Sequence, residues 1–268
     1  MFDILRVLIQ FVFRVTFGLA LAMGCTPPRQ VTSGYYQKHL WVLMGLNTLA
    51  SLAVFSSRQV LDKQQVSSTT VLALAISLAV ACYLASVTWL YEAKTVGRAA
   101  LFVIALAGGA AAVLATPPVA SRGASSAAPV LWTTLDVATG GLVLGVVLAA
   151  MFLGHWYLNT PTMQLAPLKR LILILLAVLV VRLAVSGGGV ALRVATADAA
   201  LPTEFWLFLA LRMLAGVAGT FSMGWMAWET LKIPNTQSAT GVLYAGVILA
   251  FIGELTSQLM SVGQIYPV

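Results

Sequence analysis

Eight apolar runs divide the chain, approximately Leu5 to Gly24, Leu40 to Ser56, Thr70 to Tyr91, Ala99 to Ala115, Leu131 to Leu158, Leu168 to Ser186, Glu204 to Trp228 and Gly241 to Val262. A helix of about 20 apolar residues crosses a bilayer while satisfying its own backbone hydrogen bonds. The fold expected is therefore an all-α, polytopic membrane bundle of about eight transmembrane helices, one domain over residues 1–268 with short loops. The fourth run is short and rich in Ala and Gly, which suits a tilted or protein-buried helix. Only 9% of the residues are charged, against roughly 25% in soluble domains. That balance excludes a soluble enzyme, a coiled coil, a disordered chain and a secreted disulfide scaffold.

The net charge of +7 does not point to nucleic acid, because the cations sit in short loops where they orient the chain and meet anionic lipid headgroups. An even number of spans puts both termini on one side. Arg6, Arg58, Lys63, Arg122 and Arg193 fall there, offset by Asp3, Asp62, Asp198 and Glu204. Arg29, Lys38, Lys94, Arg98, Lys169, Arg170 and Lys232 fall on the opposite face, offset only by Glu92 and Glu229. Seven cations against five place the termini outside a bacterial cytoplasmic membrane. Tyr35, Tyr36, Trp41, Trp89, Tyr91, Trp156, Tyr157, Trp225, Trp228 and Tyr244 also gather near the basic face, where aromatic rings anchor at headgroup depth. Cys25 and Cys82 have neither disulfide nor zinc-site spacing. Leu21 to Cys25 fits a lipoprotein cleavage box poorly, and the first run is expected to stay as a helix.

Ionisable groups inside the hydrocarbon are costly and mark function. Arg14, Arg182, Arg212 and Glu254 qualify. Counted from the turn near Asn235, Arg212 and Glu254 lie within about one helical turn in depth, which predicts a structural ion pair between them. Arg14 and Arg182 are then left as candidate ligand-binding groups, with Arg182 also placed to snorkel to the outer interface. Asp136, near the outer end of the fifth span, is within reach of one of these arginines or of the headgroups. Converging guanidiniums make an anion site suited to a lipid phosphate, a haem propionate or a carboxylate.

His39 and His155 both fall near the basic face. They suit a b-type haem as bis-histidine ligands, a quinone headgroup, proton handling, or simply capping and loop hydrogen bonds. Gly154 to Pro161 concentrates distinctive residues. His155, Trp156 and Asn159 are expected to form one wall of a ligand pocket, with His39, Asn47 and the turn Asn235 to Ser238 opposite; the plainer reading is an aromatic anchor followed by a helix stop. No other metal site is suggested.

Gly141 and Gly145, and more loosely Ala215 and Gly219, have the spacing that lets helix backbones approach closely. Pro-containing turns at 25–29, 159–163 and 233–238 hint at a repeated helix hairpin within 5–56, 131–186 and 204–262, although Pro, Asn and Thr are also ordinary turn residues. No phosphate loop, zincin motif or hydrolase triad is present, so an enzyme acting alone is not expected. Two functions remain open. One is a membrane subunit of a larger electron-transfer or biogenesis complex, contacting partner subunits, lipid, quinone or haem through its basic face. The other is a transporter or flippase for an anionic small molecule or lipid. Against the second, no span shows a clear Gly/Pro break at its middle.

Overall fold

A computed structural model describes residues 2–118, 127–160, 163–197, 200–233, 235–262 and 264–267. Arg122 and Asp198 of the charge balance, and Pro161, Thr162 and Pro234 of the basic-face turns, fall outside them. The protein is a multi-pass helical membrane bundle, with eight helices among the described residues long and apolar enough to cross a bilayer.

The spans are α1 (Phe2–Cys25), α2 (Ser33–Lys63), α3 (Ser68–Leu90), α4 (Lys94–Leu114), α5 (Ala127–Asn159) and α6 (Ala166–Ala195). A seventh combines α7 (Thr203–Leu211), a π-helical stretch (Arg212–Gly219) and α8 (Thr220–Thr230), and α9 (Thr236–Met260) is the last. Several run past the apolar limits of the sequence. α2 has 31 residues, about 46 Å at 1.5 Å per residue, against about 30 Å of hydrocarbon. Its extension past Ser56 persists because Arg58 lies over Phe55 at 4.2 Å and Asp62 accepts hydrogen bonds from Ser68 N (2.9 Å) and Oγ (3.0 Å) at the start of α3. α6 runs through Gly187, Gly188 and Gly189 instead of stopping at Ser186. Two of these glycines admit close neighbours: Trp132 crowds Gly188 and the Pro267 carbonyl crowds Gly189. α4 packs on α1 and α3 but turns Val103 and Leu106 outward, so it is not enclosed by protein.

Packing groups the helices into two sets. In the first, α1, α2, α3 and α4 each pack on the next, and α4 returns to α1. In the second, α5, α6, the seventh span and α9 do the same, with α9 returning to α5. The sets meet mainly along α1 and α5. There Gly18 lies backbone to backbone against Gly141 and Gly145, as the Gly141/Gly145 spacing predicted. On the seventh span the bare backbone contact is made by Gly216, against Gly253, and not by the face carrying Ala215 and Gly219. The π-helical stretch changes which residue faces α9, because i→i+5 bonding resets the register. It also supplies a mid-span irregularity that the sequence did not announce.

Candidate functional site

Five helices each send one charged side chain to a common buried point. Arg14 comes from α1, Asp136 from α5, Arg182 from α6, Arg212 from the first residue of the π-helical stretch and Glu254 from α9. None is more than 5% exposed. Arg182 is the centre, its Nε and Nη2 donating to Glu254 Oε1 and Oε2 at 2.8 and 2.7 Å in a two-pronged pair. Its Nη1 donates to Asp136 Oδ1 at 2.7 Å and to Thr139 Oγ1 at 3.1 Å. The other oxygen of Asp136 takes Arg14 Nη2 at 2.8 Å. Gly140 makes room: a methyl group there would stand 2.5 Å from Glu254 Oε2 and 2.9 Å from Arg14 Nη1.

This geometry corrects the pairing expected from depth. Glu254 is paired with Arg182 and not with Arg212, and Asp136 bridges the two arginines expected to lack an acidic partner. Arg182 does not snorkel, being 1% exposed. Arg212 instead donates from Nη2 to Ser186 Oγ at 2.6 Å, and its Nη1 has no hydrogen-bond partner among the described residues. Depth along a helix is legible in sequence, but azimuth around it is not. Three guanidiniums against two carboxylates leave the cluster with one formal positive charge in excess.

A cavity of about 430 Å³ reaches this cluster from the face that carries both termini. Arg6, Gln10 and Arg14 line it at successive turns of α1, so it follows that helix for about 12 Å. Lys63, Asp136 and Gln258 are among the other polar residues of its wall. Gln10 donates to Thr116 Oγ1 at 2.6 Å, and Arg6 donates to Gln64 Oε1 at 2.7 Å. Gln258 is 4% exposed, and neither its amide oxygen nor its nitrogen has a partner among the described residues. A buried amide without partners costs about 1–3 kcal/mol, which a ligand bonding to it recovers. Arg6, Gln10 and Gln258 were missed in sequence. The signal was a polar stripe at helical spacing: Arg6, Gln10, Arg14 on α1 and Glu254, Gln258, Ser261 on α9.

The aromatic pocket expected on the basic face is a packed cluster. His39 brings Nδ1 within 2.6 Å of the Tyr35 carbonyl and stacks on Phe152 at 4.3 Å. Trp156 donates from Nε1 to Thr32 Oγ1 at 2.8 Å, and Tyr36 stacks on Trp89 at 3.9 Å. These contacts tie α2 to α3 and α5. His155 is exposed and stands 3.3 Å from the Tyr244 hydroxyl, so the two histidines are engaged by different residues. Asn159 is exposed at the end of α5, and Asn235 caps α9 by accepting from Ser238 N at 3.0 Å. Asn47 belongs elsewhere. It lies two turns beyond His39, fully buried, donating to Thr16 Oγ1 at 2.9 Å and the Leu43 carbonyl at 2.8 Å.

Among known proteins, no family model, no curated protein and no solved structure matches the chain.

Proposed function

We propose that the protein carries a small anionic solute across the membrane, with the cavity beside α1 as its first binding site. The observation that carries this reading is a cavity lined by Arg6, Gln10 and Gln258 that ends at Arg14 and Asp136 of a buried cluster with excess positive charge, completed by Arg182, Arg212 and Glu254. Buried ion pairs are weak devices for stability, since apolar replacements of similar volume often do as well. Ionisable groups within a membrane span line substrate and ion paths by default. A volume of about 430 Å³ suits a small molecule and not a whole lipid, which favours a solute over a flipped lipid. The π-helical stretch at Arg212 supplies the kind of irregularity frequent at functional sites. The loop-charge bias supports a bacterial cytoplasmic membrane with both termini outside.

The test is flux into proteoliposomes for a panel of chloride, phosphate, acetate and lactate. At least one anion should enter faster than into empty vesicles. Gln258→Leu removes only the unpartnered amide and should cut that flux about tenfold, as one or two lost hydrogen bonds imply; Arg14→Gln should do the same. No anion flux, or flux unchanged in both variants, sinks the proposal. A competing reading, a membrane subunit of an electron-transfer or biogenesis complex, draws support from the basic, aromatic face. A stoichiometric partner retained in mild detergent, together with absent flux, would favour it.

A further inference from the structure

The end of the molecule opposite the termini holds a second, open cavity, of about 780 Å³, bordered by the turn after α1 and the beginnings of α4 and α6. Arg29, Lys94, Arg98 and Arg170 line it, and among the described residues no carboxylate does. Two other cations on this face have local partners: Lys232 pairs with Glu229 at 2.6 Å, and Lys38 lies 4.2 Å from the Trp41 ring. Arg98 is held in place from below, its Nε donating to the Gly24 carbonyl at 2.9 Å and its guanidinium 5.8 Å from the Phe102 ring. Lys94 opens α4, so the positive end of that helix dipole adds to the side-chain charges. Four like charges gathered at one concavity repel unless an anion sits among them. Basic pockets between membrane helices at this depth take phosphate headgroups, and guanidiniums match phosphate oxygens two at a time.

We propose that this cavity is a binding site for a phosphate group at headgroup depth. The same chemistry arrives as the phosphodiester of an anionic lipid or as a soluble phosphate ester. The site is independent of the transport reading, since it lies on the other face and shares no residue with the cavity beside α1.

Cys25 provides the readout. It lines this cavity and is exposed, whereas Cys82 is buried. The full chain is labelled with a neutral maleimide, either in nanodiscs of phosphatidylglycerol or phosphatidylcholine, or in detergent with glycerol phosphate or chloride at matched ionic strength. Labelling of Cys25 should slow about tenfold in phosphatidylglycerol relative to phosphatidylcholine, or in glycerol phosphate relative to chloride, on the scale of a few surface cations acting together. Protection by the lipid alone assigns a headgroup, and protection by glycerol phosphate assigns a soluble ester; either upholds the site. Arg29→Gln/Arg170→Gln should abolish the protection. Lys38→Gln/Lys169→Gln, which removes as much charge from the same face outside the cavity, should leave it within twofold. No protection in either arm, or equal loss in the two double variants, overturns the proposal.

Discussion

At the scale of single residues, the charged cluster separates groups whose removal is costly from one whose removal is not. Asp136 neutralises two arginines at once, so Asp136→Asn leaves both short of a partner. It should destabilise the protein by about 3–5 kcal/mol, the range for breaking a buried pair. Arg212 is the surplus cation, held by Ser186 alone among the hydrogen bonds of the described residues. Arg212→Met should be neutral or stabilising, since it removes a buried charge and keeps the volume. Thermal unfolding of the two variants in detergent checks this. A loss in Arg212→Met matching that of Asp136→Asn would make Arg212 an anchor of the cluster. Four of these five residues stand out in the sequence as charges inside apolar runs. Asp136 does not, because the apolar run that begins at Leu131 sets it near a span end. In the structure α5 begins at Ala127, which puts Asp136 well inside the helix.

Among the elements, glycine decides which helices touch. Gly145 meets the backbone of α1 at Gly18 and Leu19, so no rotamer change can admit a side chain there. Gly145→Leu should force α1 and α5 apart and prevent recovery of a monodisperse protein. A methyl group at Gly45 meets nothing within 4 Å. Gly45→Ala should therefore stabilise the helix by about 0.5–1 kcal/mol through backbone entropy alone; equal behaviour of the two variants in size-exclusion and melting experiments would contradict this account. The Gly141/Gly145 spacing announced one side of the seam, and its partner Gly18, with Ala22 four residues on, carries only the looser small-residue spacing. The contact of Gly216 with Gly253 was hidden more deeply. A period of 3.6 residues points to the wrong face once the helix changes to i→i+5 bonding.

Across the whole molecule, the spans, their number and the shared side of the termini were legible, because hydropathy and loop length are one-dimensional quantities. The division into two sets of four helices was not, since it depends on which lipid-like surfaces happen to fit. Sidedness is open to a direct measurement through Cys25, the exposed thiol on the face opposite the termini. An impermeant maleimide should fail to label it in intact cells and should label it after permeabilisation. Labelling in intact cells would invert the orientation drawn from the loop charges.

The surplus positive charge at Arg212 has an electrical consequence. The cluster lies about 14 Å along the seventh span from its start at Thr203, at 1.5 Å per residue, part-way down the voltage drop of an energised membrane. One elementary charge moved through the full drop changes energy by about 2.3 kcal/mol per 100 mV. An anion that enters from the terminal face and stops at this cluster crosses only a fraction of that drop. Its occupancy should therefore vary with membrane voltage, and its arrival should register as a transient current before any complete passage occurs.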